Sequence, residues 1–375
     1  MGIKNLTKFI KKYAPSAITP VTLSFYKGKT IGLDISGLIY QMSYNKETKG
    51  QGQHIRTLFE LIIACRQNHV RLIVVFDGKP VSEKKRTLDT RKETKINQLE
   101  KIVALTYGSD VTFQTIDMSE ESCVLQSPVN IELVKTHARQ AISENGKLSV
   151  EEKEQLKSLV KNYIHIDNSI FDELLELFNI CGITYFRARH EADHLLARLC
   201  ADHVIDGVFS EDTDMLPHGC PYLIRGINSA EFRRNGNLTE YSLATLLSEI
   251  GFTHERFVDF CILSECDYTT KIHGMGHITA YQYLQTMTLD ELLKNIQGHK
   301  KFTVDKAFNH IEARRCFQYA SLEDTIKLDY GWKTINIPEL QTYLQSKTNY
   351  TTVTLSKKLD ILRNEKPVIT VSLNC

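Results

Sequence analysis

The feature that most constrains this chain is a recurring one: short apolar runs that stop at acidic residues. TIGLDISG carries Ile31 and Leu33 into Asp34, RLIVVFDGKP runs into Asp77 and Gly78, and VIDGVFSEDTDML runs into Asp212 and Asp214. Each run is short, rich in β-branched or aromatic residues and followed by a turn, which is how a buried strand reads. ITYFRA (183–188) and PYLIRGI (221–227) are further strand candidates. Between them lie helical patterns, such as FDELLELFNICG with its i, i+3, i+4 apolar face and closing Gly182. Strands alternating with helices predict an α/β fold with a mostly parallel central sheet and flanking helices. Sites in such sheets form at the carboxyl ends of strands, where Asp34, Asp77, Asp212 and Asp214 fall.

Singly, these acids have ordinary explanations. Asp34 could be a helix N-cap, Asp77-Gly78 a turn, and Asp212-x-Asp214 an exposed acidic loop. Together they make a stronger case. Residues two apart in extended chain point the same way, and paired carboxylates repel unless a cation lies between them. Within RARHEADHL, Glu191 and Asp193 can converge only if a helix starts there. The pattern LLARLCADHV, beginning at Leu195, is consistent with that start, and a helix N-terminus favours negative charge.

HEADH (190–194) also matches the His-Glu-x-x-His pattern of zinc peptidases. The longer form of that motif needs Gly at 197 and His at 200, where this chain has Ala197 and Cys200. A third ligand would have to be Glu211, beside a strand end. The competing expectation is that both histidines are incidental and exposed on the helix.

Residues 79–95 carry seven Lys/Arg against three acids, a local balance of 7 − 3 = +4. The net charge of the chain is +1, so a nucleic-acid surface would have to be local like this one. From there to about Asn162 the chain is polar and weakly patterned, an insertion expected to be helical in part. GMG (274–276) separates two helical patterns; it could offer backbone N–H groups to a phosphate or be a plain tight turn. Nine cysteines with no C-x-x-C pair suggest a reducing compartment. No apolar run is long enough to span a membrane, and the chain is expected to be soluble and unanchored.

Five ordered blocks carry a resemblance: MGIKNLTKFIKKYAPSAI, TIGLDISGLIYQ, VVFDGKPVSEKKRTLDTRK, RHEADHLLARLCADHVIDGVFSEDTDML and FVDFCILSECDYTTKIHGMG. Over about residues 1–285 the chain resembles the flap endonuclease (XPG/RAD2-type) family of structure-specific 5′ nucleases. The resemblance implies a PIN-like nuclease fold with a helical arch insertion and a helix–two-turn–helix element. It implies an N-terminal nuclease region (1–100), an insertion or arch region (101–165), an internal nuclease region (166–285) and a C-terminal extension (286–375).

The implied metal ligands are Asp34, Asp77, Glu191, Asp193, Asp212, Asp214 and Asp267. They would hold two Mg²⁺ ions, with Mn²⁺ as a substitute, for hydrolysis of phosphodiester bonds at 5′ flaps or other branched or nicked DNA. Lys84 and Arg91, on the arch helix, would contact the scissile phosphate. Tyr40 would stack on a base, Gly2 would lie near the site, and Gly274 and Gly276 would hold duplex phosphates.

Several positions depart from the family. Asp193 replaces a Glu, Glu265 a Gly, Lys271 a Ser of a monovalent-ion site, and His277 a Pro. No sliding-clamp motif is present, so clamp binding is not supported. The divergence and long insertion look most like the poxviral branch, implying viral replication proteins as partners and the host cytoplasm as location. The role would be in replication, recombination or break repair. A non-enzymatic alternative is a nuclease fold that binds branched DNA without cutting.

Overall fold

In the computed structural model the alternating runs build a seven-stranded sheet, with residues 3–49, 52–108, 131–144, 148–163, 166, 168–318 and 334–363 described. The strands are β1 (Ile18–Thr22), β2 (Thr30–Asp34), β3 (Arg71–Phe76), β4 (Thr184–Arg187), β5 (Gly207–Phe209), β6 (Tyr222–Arg225) and β7 (Asn237–Ser242), in the order β1-β7-β6-β5-β2-β3-β4. From β4 through β6 every neighbouring pair is parallel. β7 and β1 complete the sheet as an antiparallel pair.

That pair is the part the sequence reading missed. β1 contains Pro20, which cannot donate to a ladder; it is tolerated because β1 lies at the sheet edge.

β2, β3 and β4 step outward in one direction, and the chain then returns to lay β5 and β6 on the other side of β2. The crevice between β2 and β5 is therefore a topological switch point, where parallel α/β sheets place their ligands.

The sheet is covered on both faces, because alternate strand residues point opposite ways. Ile73 and Val75 of β3 enter one core; Leu72, Val74 and Phe76 enter the other. The first core is closed by α1 (Leu6–Tyr13), α8 (Ala192–Ala201), α10 (Leu243–Ile250), α11 (His254–Leu263), α12 (His277–Leu284), α13 (Leu289–Asn295) and α14 (His310–Gln318). The second is closed by α2 (Ile35–Lys49), α3 (Gln53–Gln67), α7 (Asn168–Cys181), α9 (Ala230–Asn235), α15 (Ile337–Lys347) and α16 (Thr352–Arg363). The stretch after residue 286 thus supplies helices to both faces.

The insertion has a core of its own. α4 (Lys85–Tyr107), α5 (Ile131–Ser143) and α6 (Val150–Asn162) bury Leu99, Ile102, Val134, Ala138, Leu156 and Val160 against one another. α4 runs unbroken through the boundary expected at residues 100/101, since its buried apolar residues, Leu99, Ile102 and Val103, lie on both sides of that boundary and serve this one small core. No described helix is long and apolar enough to cross a membrane.

Candidate active site

Four adjacent parallel strands deliver acids to one edge. Asp34 is the last residue of β2, and Asp77 follows β3 directly. Glu191 and Asp193 follow β4, and Asp212 and Asp214 follow β5. Asp267 arrives from the turn after α11.

Local hydrogen bonds fix these acids. Glu191 is the N-cap of α8 and Asp193 lies in its first turn, as the helix-start argument requires. Asp77 Oδ1 accepts from the Ala192 N–H at 2.8 Å, so the end of β3 helps cap that helix. Gly78 makes the approach possible: a Cβ there would lie 1.9 Å from the Ala188 carbonyl oxygen. Ser210 Oγ donates to Asp34 Oδ2 at 3.0 Å and accepts from the Asp212 N–H at 3.0 Å. Asp212 in turn accepts from the Asp214 N–H at 3.0 Å, and Asp214 accepts from the Ile3 N–H at 2.7 Å.

These carboxylates are crowded in poor solvent. Burial, then repulsion from Asp77 and Asp212, lifts Asp34 to about 7, against the hydrogen bonds from Ser210 and the Gly37 N–H. Asp214 is pushed well above the usual carboxylate range by burial first, then by Asp212 and Asp267. Asp193 keeps some exposed surface, but confinement and the charges of Asp34 and Asp212 lift it likewise. Among the described residues no three acidic, histidine or cysteine side chains close on a common point as a preformed cage. The acids form an open row.

Two cations face the row. Lys84 Nζ lies 2.9 Å from Glu191 Oε1 and 3.9 Å from Asp267 Oδ2; Arg91 Nη2 lies 2.6 Å from Asp267 Oδ2. Burial opposes the Lys84 charge, but Glu191, Asp193 and Asp267 outweigh it and hold the ammonium above the ordinary lysine range. Arg91 is on α4 as expected, whereas Lys84 ends the short 3₁₀ turn Ser82–Lys84 just before it.

Tyr40, on α2, is partly exposed, and Lys95 Nζ stands 5.5 Å from its ring centre. Gly274 adopts φ 84° and a Cβ there would strike the Lys301 carbonyl oxygen at 2.3 Å. Gly276 is the N-cap of α12, and no side-chain hydrogen bond caps that end. Gly2 lies outside the described residues.

The zinc-peptidase geometry is not formed. α8 starts at Ala192, so His190 and Glu191 precede the helix that would have to carry the motif. Glu191 is engaged by Lys84 and by the Tyr268 hydroxyl, 2.9 Å from Oε2. His194 is also not exposed, contrary to expectation. It is fully buried, its ring edge-on to that of His218, because the side of α8 it occupies faces the first core. The sequence reading missed Ser210, Tyr268 and His218. Only adjacency to Asp212 and Asp267 could have pointed to the first two.

The XPG N-terminal domain family matches residues 1–98, and the XPG I-region family matches residues 182–267. Flap endonuclease 1 of Entamoeba histolytica is 28% identical over 377 residues, covering 98% of this chain and 88% of its own. The catalytic core of Rad2 in complex with DNA substrate superposes with a TM-score of 0.67 at 16% identity, over 97% of this chain and 100% of that one. GEN1, a Holliday junction-resolving enzyme in complex with product DNA and a Mg²⁺ ion, gives 0.57 at 17% identity, over 95% and 77%. At these identities the structural matches speak to the fold.

Proposed function

Because the chain belongs to the XPG/RAD2-type family of structure-specific nucleases, we propose that the acidic row is a divalent-metal site for phosphodiester hydrolysis in flap or otherwise branched DNA. The observation that carries this reading is the placing of seven carboxylates along one edge of the sheet, at four adjacent strand ends and one turn, faced by Lys84 and Arg91. The donor set fits a hard cation. It is all oxygen, and burial and mutual repulsion leave Asp34, Asp193 and Asp214 in want of positive charge. Asp34, Asp77, Glu191, Asp193, Asp212, Asp214 and Asp267 would share two Mg²⁺ ions, with Mn²⁺ as a substitute. Bound metal would supply the charge that activates a water for attack at phosphorus and stabilises the leaving 3′-oxygen.

The protein's own groups do the rest. Lys84 and Arg91 transfer their charge from Glu191 and Asp267 to the oxygens of the transferring phosphoryl group. Tyr40 stacks on an unpaired base, with Lys95 beside its ring. The turn at Gly274 and the uncapped start of α12 at Gly276 take duplex phosphates, and Gly2 is assigned near the site by resemblance alone. Such contacts make binding salt-sensitive and indifferent to sequence. The poxviral origin, viral replication partners and host-cytoplasmic location remain part of this reading through the sequence resemblance.

The test is incubation of the protein with labelled 5′-flap, nicked, gapped and four-way junction DNA in Mg²⁺ or Mn²⁺, beside Asp214→Ala. Cleavage by the wild type with binding but no cleavage by the variant is expected. Wild-type protein that binds these substrates and cuts none of them would leave a branched-DNA-binding scaffold as the function. Full activity in Asp214→Ala would remove the metal site.

A further inference from the structure

Behind Glu191 runs a polar chain that the metal reading leaves unused. Glu191 divides its two oxygens: Oε1 meets Lys84 at 2.9 Å, and Oε2 accepts from Tyr268 Oη at 2.9 Å. The same phenol oxygen lies 3.2 Å from His218 Nε2. Glu191, Tyr268 and His218 are all buried.

A phenol has a single proton. With that proton given to a carboxylate, its oxygen can only accept, so His218 must carry its own proton on Nε2. An oxygen that accepts a hydrogen bond becomes a stronger donor through its own O–H, so the two bonds reinforce each other. The imidazole is wedged in place. Its ring centre lies 5.0 Å from that of His194 and 5.0 Å from that of Phe317, and Phe317 stands edge-on to Tyr268 at 5.1 Å. Phe317 belongs to α14, which Arg314 ties to both oxygens of Asp259 on α11 at 2.6 and 2.9 Å.

Glu191 needs such a support. As N-cap of α8 it makes no side-chain bond to its own helix, so its side chain is oriented from outside. Lys84 is the partner that has a phosphate to serve, which leaves Tyr268 as the fixed one.

We propose that His218 and Tyr268 are positioning residues for Glu191: His218 Nε2–H donates to the Tyr268 hydroxyl, whose proton holds the carboxylate in the orientation that receives a divalent cation. The inference rests on the nuclease reading above. It also gives the second histidine of HEADH a place, since His194 packs the face of His218.

Mn²⁺ binding measured by calorimetry in the absence of DNA tests this, alongside the Mg²⁺ dependence of flap cleavage. The proteins are wild type, Tyr268→Phe, His218→Phe, the double variant and His218→Gln. Each single loss should weaken Mn²⁺ binding roughly tenfold, in the range found for outer partners of metal ligands. The Mg²⁺ midpoint should shift with it, and flap-DNA affinity in EDTA should not change. The double variant should be no weaker than Tyr268→Phe alone, and His218→Gln, which keeps a donor, should recover part of the loss. Wild-type Mn²⁺ affinity in Tyr268→Phe or in folded His218→Phe would overturn the proposal, as would losses that multiply in the double variant. Should His218→Phe fail to fold, Tyr268→Phe, which removes one oxygen, decides the matter. Wild-type protein that neither binds Mn²⁺ nor cuts a flap would fault the nuclease reading instead.

Discussion

Glu173 and Asp214 are both carboxylates drawn in from solvent, and their surroundings treat them oppositely. Glu173, on α7, has His54 Nε2 at 2.7 Å on one oxygen and Lys347 Nζ at 3.0 Å on the other. Nearby Glu60 is matched in the same way by Lys358 Nζ and the Tyr350 hydroxyl, each at 2.6 Å. These pairs bind α15 and α16 to α3 and α7. Burial works against the Glu173 charge, but Lys347 and His54 overcome it and hold the carboxyl below its ordinary value. At the carboxyl edge of the sheet, acids face acids, and burial and repulsion raise Asp34, Asp193 and Asp214. The first arrangement holds the fold together. The second opposes folding and makes sense as the environment for a cation that arrives later.

The largest contrast is in activity. Asp214→Ala should slow flap cleavage by well over ~100-fold, beyond what outer partners of a metal usually contribute, whereas Glu173→Gln should leave the rate near wild type. Equal loss in both, measured in single-turnover cleavage, would break the comparison. Stability should separate them next. Mg²⁺ should raise the wild-type melting temperature, by the equivalent of about 2.7 kcal/mol at a hundred times its dissociation constant. Asp193→Asn should melt higher than wild type in EDTA, by about 0.5–2 kcal/mol, because it removes one confined, repelling charge from the row, and should respond less to Mg²⁺. A lower melting point in EDTA would count against the repulsion argument.

A smaller effect belongs to pH. Glu173 is held below its ordinary 4.5 in the folded protein, so its stabilisation is present above that pH and is lost as pH falls through the folded value. The pair is partly exposed and should contribute about 0.5–1 kcal/mol. Melting curves of wild type and Glu173→Gln should therefore converge in acid and separate above about pH 4.5; parallel curves throughout would refute it. The smallest effect is at Glu265, whose φ of 78° is strained for a residue with a side chain. Glu265→Gly relieves that strain and loses the exposed 2.9 Å ion pair with Lys4, for a net gain of under ~1 kcal/mol. A clear loss in denaturant titration would show that the ion pair outweighs the backbone.

What could be read in the chain depended on the range of the interaction. The run into Asp34, the run into Asp77 and the start of α8 at Glu191 are local patterns, and the structure places them as read. The edge strand β1 was hidden by Pro20, whose acceptability depends on what lies beside it. The core of the insertion was hidden because its apolar residues are spread thinly over three helices and meet only when these pack. A cap signal was nonetheless there: Ser149 and Glu152 form a reciprocal capping box at the start of α6.

The sequence by itself determined the α/β alternation, the strand ends that carry acids and the residue types able to bind a hard cation. These follow from side-chain periodicity and donor chemistry, which are properties of neighbouring residues. Tertiary structure alone decided that β5 returns beside β2, so that Asp34 and Asp212 face one crevice. It also decided that His194 is enclosed and that Tyr268 and His218 stand behind Glu191. Those outcomes depend on strand order and on which helix covers which face, and they join residues distant along the chain, 77 positions for Tyr268 and Glu191 and 50 for Tyr268 and His218.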